Sequence, residues 1–214
     1  NLWNPVYLYR NDGGQFIDVT DTAGLKPYNN GISAVFADLN SDGLMDLYVT
    51  VWNEGVDFGY YYPGFSNILY LNQGNGTFQK AVDSGLEYVG GTISVATDDV
   101  NNDGHVDLYL ATGGPTFQEN NDLYMNRGDG TFVKVTRQAG VGDPSRGHGV
   151  IAGDLDGDGR LDMYIASGGM DIADRTRNLL CYNTSAVGNW LGVRLFRDGH
   201  AIMGSRVTLI AGDT

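Results

Sequence analysis

The fold is decided by a nine-residue stretch, DLDGDGRLD at residues 154–162, which runs directly into the apolar segment MYI at residues 163–165. The same pattern, D-x-[DN]-x-D-G-x-x-D, occurs as DLNSDGLMD at residues 38–46 and as DVNNDGHVD at residues 99–107. Asp, Asn and Gly favour tight turns, and the segments that follow alternate as half-buried strands do. Each copy, together with the apolar run before it, therefore predicts a β-hairpin closed by an acidic loop.

A second hairpin pattern repeats between these loops. It reads VYLYRNDGGQF at residues 6–16, ILYLNQGNGTF at residues 68–78 and DLYMNRGDGTF at residues 122–132, with a degraded copy, LLCYN, at residues 179–183. All three full copies contain Asn-Gly or Asp-Gly in the turn, and these pairs tolerate the positive φ values that two-residue hairpin turns require. Two hairpins in each period of 54–61 residues predict four short antiparallel strands, which is one blade of a β-propeller.

The fold class expected is therefore all-β. Residues 1–188 are expected to form a partial propeller of about three blades: the last two strands of one blade, two complete blades, and a third that begins at Gly149. Because a propeller closes with roughly four to eight blades, this stretch is too short to close alone. Residues 189–214 break the period, and their strand-like runs at 189–195 and 206–210 predict the start of a different small β module.

Composition supports a turn-rich β protein and excludes several functions. The chain has 214 residues with 32 Gly and a net charge of −13, and its acids comprise 23 Asp against 3 Glu. Such a chain would be repelled by nucleic acids and anionic membranes. No apolar run reaches the ~18 residues of a membrane span. The first residues show no signal-peptide pattern, and a single cysteine, Cys181, excludes an internal disulfide framework and a Cys-based zinc site.

The acidic loops predict three Ca²⁺ sites. Side-chain oxygens at loop positions 1, 3, 5 and 9 and a carbonyl at position 7 supply the six to seven hard ligands that Ca²⁺ prefers over Mg²⁺. The predicted ligands are Asp38, Asn40, Asp42, Leu44 and Asp46; Asp99, Asn101, Asp103, His105 and Asp107; and Asp154, Asp156, Asp158, Arg160 and Asp162, with Leu44, His105 and Arg160 acting through their carbonyls. An EF-hand is excluded because position 12 is Val49, Leu110 or Ile165. The alternative is a set of acidic turns without metal.

These loops and their flanking strands resemble the FG-GAP/VCBS repeats of propellers like those of integrin α-subunits. The segments at 189–193 and 203–207 are similar to the ASPIC/UnbV module, and together the two patterns resemble the cartilage-acidic-protein-like (CRTAC/UnbV-type) family. The resemblance implies a secreted, calcium-dependent binding or structural protein. Members of this family generally carry more blades.

The remaining candidates are residues that could contact a ligand or carry a glycan. Tyr60, Tyr61, Tyr62 and Phe65 form an aromatic insertion suited to stacking on sugars or to a protein interface; the alternative is that they are buried on their own blade. Asn75 and Asn183 lie in N-x-[ST] sequons and are candidate glycosylation sites. The three histidines are scattered and form no catalytic motif, so no enzyme is expected.

The leading functional expectation is an extracellular, periplasmic or cell-surface Ca²⁺-binding propeller that acts as an interaction, adhesion or assembly module. Its partner would be a protein, an extracellular matrix, or further copies that pair through exposed strand edges, including a filament. The alternative is a carbohydrate-binding, lectin-like propeller. A propeller polysaccharide lyase or similar polysaccharide-processing enzyme is the remote alternative.

Overall fold

The computed structural model describes residues 6–25, 31–52, 66–88, 90–113, 120–143, 146–168 and 176–185, together with 193, 196–197, 200–201 and 207. The aromatic insertion Tyr60, Tyr61, Tyr62 and Phe65 lies outside the described residues, as does most of the predicted tail module. The division at residues 188/189 therefore stays a prediction.

Antiparallel sheets of two to four strands make up the described chain. The leading hairpin consists of β1 (Tyr9–Asp12) and β2 (Gln15–Asp18). The first blade contains β3 (Gly31–Ala37), β4 (Asp46–Val51), β5 (Ile68–Asn72) and β6 (Phe78–Lys80). The second blade contains β7 (Thr92–Asp98), β8 (Asp107–Thr112), β9 (Asp122–Asn126) and β10 (Phe132–Lys134).

The third blade contains β11 (Gly147–Gly153), β12 (Asp162–Ser167) and β13 (Leu179–Cys181). A single turn of helix, α1 (Thr136–Ala139), precedes it, and the short hairpin β14 (Phe196–Arg197) and β15 (His200–Ala201) follows it. Within each blade, neighbouring strands in the sheet are consecutive in sequence, as hairpin connections require. The all-β prediction and the division into blades are confirmed.

The core lies between blades because the middle strands are covered on both faces. Along β8, Leu108 and Leu110 pack toward the first blade, whereas Tyr109 and Ala111 pack toward the third. In β4 the same alternation directs Tyr48 toward the second blade and Leu47 and Val49 toward the leading hairpin. Since side chains alternate along a strand, the period-two pattern of the sequence fills two interfaces at once.

This topology brings the acidic loops to one edge of the molecule. Each joins the first and second strands of its blade, and the Gly-rich turn between the third and fourth strands closes at the same edge because the strands are antiparallel. The third loop joins β11 to β12 in the same way. The edge thus presents three loops of identical pattern side by side.

Candidate metal-binding site

The last aspartate of each acidic loop is a buried anchor. Asp46, Asp107 and Asp162 are 0%, 1% and 1% exposed, because each begins the second strand of its blade. One carboxylate oxygen accepts a hydrogen bond from the backbone N–H at loop position 2, at Leu39, Val100 or Leu155 (3.0–3.1 Å). The other oxygen accepts one from the N–H at the end of the third strand (2.8–2.9 Å). The position-9 carboxylate therefore ties the loop to the blade.

Burial makes the charge on the Asp46 and Asp107 anchors costly without a counter-ion. It raises the pKa of Asp46, and it raises the pKa of Asp107 to about 6, despite the opposing hydrogen bonds from backbone N–H groups. The neighbouring carboxylates of Asp103 and Asp99 also raise the pKa of Asp107. A bound cation would offset both effects, because it favours the ionised form.

The first aspartate of each loop organises the turn. In the third loop, Asp154 accepts hydrogen bonds from the backbone N–H groups of Asp158 (3.1 Å) and Gly159 (3.1 Å). Asp38 and Asp99 accept the same pair from positions 5 and 6 of their loops (2.8–3.1 Å). The aspartate at position 5 in turn accepts from the N–H at position 7 (2.8–2.9 Å). The three loops therefore share one backbone geometry.

The donor set fits a hard cation. In the third loop, carboxylate oxygens of Asp154, Asp156 and Asp162 lie within 4.8 Å of one another, although Asp154 and Asp156 are exposed and Asp162 is buried. A carboxylate oxygen has two lone pairs. Asp154 Oδ1 accepts from two N–H groups and Oδ2 from one, so Oδ2 keeps ligand capacity. In the first two loops Asn40 and Asn101 replace the second carboxylate and donate to Asp42 and Asp103 (2.9 and 2.8 Å).

The side chains at positions 4 and 7 differ among the loops, and several of them form hydrogen bonds outside their own loop. Arg160 forms an ion pair with Asp158 through its guanidinium, and its Nε donates to the carbonyl of Asn183 (2.6 Å). His105 Nδ1 lies 2.8 Å from Ser41 Oγ of the preceding loop. Asn102 of the second loop donates to the carbonyl of Gly159 in the third (3.2 Å). The side chains of His105 and Asn102 thus link neighbouring loops, which the sequence analysis did not predict.

Sequence reasoning also missed a clamp between blades. An asparagine recurs at the same register of the repeat in each blade, at the end of the third strand or just after it, as Asn72, Asn126 and Asn183. The structure shows that Asn126 Nδ2 donates to the carbonyls of Val106 in its own blade (2.9 Å) and Leu39 in the first (3.1 Å). Asn183 Nδ2 likewise donates to Leu161 (3.2 Å) and to Val100 of the second blade (2.7 Å). Because these asparagines recur at a fixed register, the sequence could have indicated that they have a structural role.

The two sequons lie in different surroundings. Asn75 is exposed at the β5–β6 turn, where its carbonyl oxygen accepts hydrogen bonds from Thr77 (2.6 and 3.0 Å). A glycan on Asn183 would replace one of the two hydrogens of the Nδ2 atom that bridges two blades, so at least one of its two hydrogen bonds would be lost. None of the helices among the described residues is long and apolar enough to cross a membrane.

Comparison with known proteins agrees with this architecture. A family model described as "FG-GAP-like repeat" matches residues 1–49, 58–110 and 99–165. Cartilage acidic protein 1 of Homo sapiens is 25% identical over 205 residues, which covers 88% of this chain and 28% of that protein. The Mus musculus protein of the same name is 25% identical over 208 residues, which covers 88% of this chain and 29% of that protein. This chain thus spans under a third of the length of either.

A solved structure of an Agrocybe aegerita lectin, whose description refers to recognition of non-reducing terminal N-acetylglucosamine, covers 84% of this chain and 43% of the lectin. It is 22% identical with a TM-score of 0.42, too distant to carry an argument. The family match, by contrast, covers more than half of the chain and coincides with the blades described above. This chain therefore belongs to the family of proteins built from FG-GAP-like repeats.

Proposed function

We propose that this chain is part of an extracellular propeller in which Ca²⁺ in the three acidic loops holds the blades in shape for a non-catalytic role in interaction or assembly. One observation carries the proposal: the same loop, anchored by the same buried aspartate, occurs three times along one edge. In the third loop, three carboxylates converge within 4.8 Å. Convergent, partly desolvated carboxylates repel one another unless a cation lies between them.

Calcium suits these loops better than magnesium. The pattern offers side-chain oxygens and a backbone carbonyl, a set of about six to seven ligands, whereas Mg²⁺ favours a tight octahedron with several retained waters. Three Ca²⁺ ions would reduce the net charge from −13 to −7. Because each loop joins two strands and contacts its neighbour, the cation would contribute to the folding free energy. At 100 times Kd the contribution is about 2.7 kcal/mol per site.

The extracellular interaction role is supported by the family and by charge. The name of the matched relatives ties them to cartilage and to acidity, and this chain shares the acidity with its net charge of −13. Extracellular calcium modules typically bind with Kd values of roughly 10⁻⁴ to 10⁻³ M, so sites of this kind would stay filled outside the cell. We therefore propose a structural role for the ion rather than a signalling one.

The test is thermal unfolding of the 214-residue chain with and without excess EGTA, with solution mass measured in both states. With Ca²⁺ at 100 times Kd before chelation, a loss of three sites at ~2.7 kcal/mol each is expected to lower the Tm by at least about 15 °C, at roughly 2–4 °C per kcal/mol for a chain of this size. Added Ca²⁺ should restore the Tm, and Mg²⁺ should restore it poorly. An unchanged Tm would show that the loops are acidic turns held by their own hydrogen bonds.

The mass measurement separates two forms of the proposal. If chelation lowers both Tm and mass, calcium also holds an assembly together. If only the Tm falls, calcium stabilises the blades without joining chains.

A further inference from the structure

A continuous series of hydrogen bonds joins the buried anchors of the three acidic loops. It follows the edge on which the loops lie and crosses each boundary between blades through one asparagine, Asn126 or Asn183. We propose that this series couples the loops, so that a cation bound in one loop raises the affinity of the next, with Asn126 and Asn183 as the positioning residues. The coupling rests on the metal role proposed above: each loop holds its own ion, and the asparagines set how the affinities depend on one another.

Asn126 connects the second loop to the first. Its backbone N–H donates to Oδ1 of the anchor Asp107 (2.8 Å), and its Nδ2 donates to the carbonyl of Leu39 at position 2 of the first loop (3.1 Å). The N–H of the same Leu39 donates to Oδ2 of the anchor Asp46 (3.0 Å). Three hydrogen bonds therefore link two anchors, and all four residues are buried.

Asn183 repeats this arrangement between the third loop and the second. Its N–H donates to Oδ1 of the anchor Asp162 (2.9 Å), and its Nδ2 donates to the carbonyl of Val100 (2.7 Å). The N–H of Val100 donates to Oδ2 of Asp107 (3.1 Å). These two sets of three hydrogen bonds form the asparagine relay. Asp107 belongs to both sets, with one oxygen in each, so the second loop lies between the other two in the relay.

Exposed side chains make a second connection between neighbouring loops. Ser41, at position 4 of the first loop, has its Oγ 2.8 Å from Nδ1 of His105 at position 7 of the second. Asn102, at position 4 of the second loop, donates to the carbonyl of Gly159 at position 6 of the third (3.2 Å). Position 4 of each of these loops therefore contacts the turn of the following loop, in the same direction along the edge as the relay.

The relay gives the coupling a physical cause. Leu39 stands between the predicted ligands Asp38 and Asn40, so a cation held by those two residues would fix the peptide groups of Leu39. The fixed carbonyl would hold Asn126, whose N–H would in turn hold the anchor Asp107. Part of the ordering entropy of the second loop is then lost before its own ion binds, which produces positive cooperativity without a change of fold. The coupling is reciprocal, so it does not depend on which loop is filled first.

Electrostatic interaction between the loops acts in the opposite direction. The loops contain three, three and four aspartates, and a Ca²⁺ ion in one loop reduces the negative charge that attracts an ion to the next. Salt screens this effect, since the Debye length falls from about 8 Å at 0.15 M to about 3 Å at 1 M. Buried hydrogen bonds are not screened in this way. Positive cooperativity that persists at high salt therefore distinguishes the relay from the charges.

The first test isolates one pair of loops and one half of the relay. Asp154→Asn with Asp156→Asn removes two exposed carboxylates of the third loop and leaves the first two loops joined through Asn126. Calorimetric titration of this protein with Ca²⁺, at about 0.15 M and about 1 M salt, gives two stepwise binding constants. We expect the second ion to bind at least about fivefold more tightly than two independent sites would allow, which is the lower end of typical coupling.

Asn126→Ala in the same protein should bring the two constants to within about twofold of independent binding. Asn72→Ala is the matched control and should keep the cooperativity. Both changes remove hydrogen bonds to a loop carbonyl of the same blade, Met45 or Val106, and from the N–H two residues on, but Asn126 also donates to Leu39 in another blade. A purely structural role would weaken both binding steps and leave their ratio unchanged.

A second measurement keeps the relay intact and does not depend on the folding of Asn126→Ala. Asp38→Asn with Asp42→Asn disables the first loop but leaves its buried anchor, and Ca²⁺ then fills the second and third loops. Hydrogen exchange of the Leu39 N–H should slow at least about fivefold, although its own loop binds no ion. The control is the N–H of Val51, which donates to a buried side chain at the other end of β4 (2.8 Å) and should change less than about twofold.

The coupling and the metal role can fail separately. Ca²⁺ binding in independent steps, or with negative cooperativity, overturns the coupling and leaves the metal role in place when EGTA lowers the Tm. Cooperativity that survives Asn126→Ala, or exchange at Leu39 that does not respond to Ca²⁺, also overturns the relay. If no Ca²⁺ binds and the Tm is unchanged in EGTA, the metal role is wrong and the coupling is overturned with it.

Discussion

At the scale of single residues, the contact between blades depends on one buried amide. Asn126 is 4% exposed, and it donates to two carbonyls in different blades while its oxygen accepts from Gly128 N (2.8 Å). Replacing it by alanine leaves the carbonyl of Leu39 buried and unpaired, at about 1–3 kcal/mol, whereas the carbonyl of Val106 and the N–H of Gly128 are only partly buried and lose less. We expect Asn126→Ala to lower the free energy of unfolding by about 2–4 kcal/mol, measured by urea denaturation.

Asn72→Ala is the matched control for this change. Asn72 stands at the same register, with hydrogen bonds to Met45 O (2.9 Å) and Gly74 N (2.9 Å) of its own blade, and is more exposed. Its replacement should cost less than half as much. Equal losses for the two variants would show that the bond to Leu39 contributes nothing.

A second residue-scale prediction concerns acid stability. Glu87 accepts hydrogen bonds from Ser84 N and Oγ (2.9 and 3.0 Å) and from Gly85 N (2.9 Å). Burial opposes ionisation, but these hydrogen bonds outweigh it and lower the pKa of Glu87. A carboxyl whose pKa is lower in the folded state stabilises the fold above its unfolded pKa, near 4.5. That stabilisation is lost as the pH falls through the folded value.

We therefore expect Glu87→Gln to be less stable than the parent at pH 7, with a difference that shrinks steadily below about pH 4.5. Urea denaturation of both proteins from pH 7 to below pH 4.5 measures this difference in the free energy of unfolding. Asp21→Asn, at an exposed carboxylate in the aligned connection before β3, is the control and should show little change. A difference that does not depend on pH would contradict the assigned hydrogen bonds to the ionised group.

At the scale of the element, each acidic loop should act as its own binding unit. The double change Asp154→Asn and Asp156→Asn removes two exposed carboxylates of the third loop and leaves the buried anchor Asp162 in place. Calorimetric titration should then find two Ca²⁺ sites instead of three, with a smaller Tm loss in EGTA. If three sites remain, the third ion binds elsewhere. The control is Asp21→Asn, which should keep all three sites.

The elements themselves could be predicted from sequence, since strand alternation and loop residues repeat with every blade. The hairpins closed by the acidic loops at 38–46 and 99–107 were therefore expected, and the structure confirms them. The partners of Asn126 were not foreseeable, because they depend on the angle at which two blades pack.

At the scale of the whole molecule, the blades end in apolar faces. Tyr164 is 38% exposed, whereas Tyr48 and Tyr109, at the same position of the first and second blades, are 0% and 2% exposed. Ile151 and Leu180, which pair with Tyr164 in the sheet, are 66% and 46% exposed. At the opposite end, Tyr9 and Phe16 of the leading hairpin are 52% and 70% exposed. Within the described part of the chain, these faces have no blade packed against them.

The two end faces are different surfaces, so contact between copies would be head-to-tail and could continue from chain to chain. We expect solutions of this 214-residue chain to show a light-scattering mass that rises with concentration above the 23.1 kDa monomer. Ile151→Lys with Leu180→Lys should restore the monomer mass, because a buried charge without a partner opposes the contact. Val82→Lys, at an apolar residue that is 80% exposed away from either end, should leave the association unchanged. A mass of 23.1 kDa at every concentration would show that these faces do not join copies.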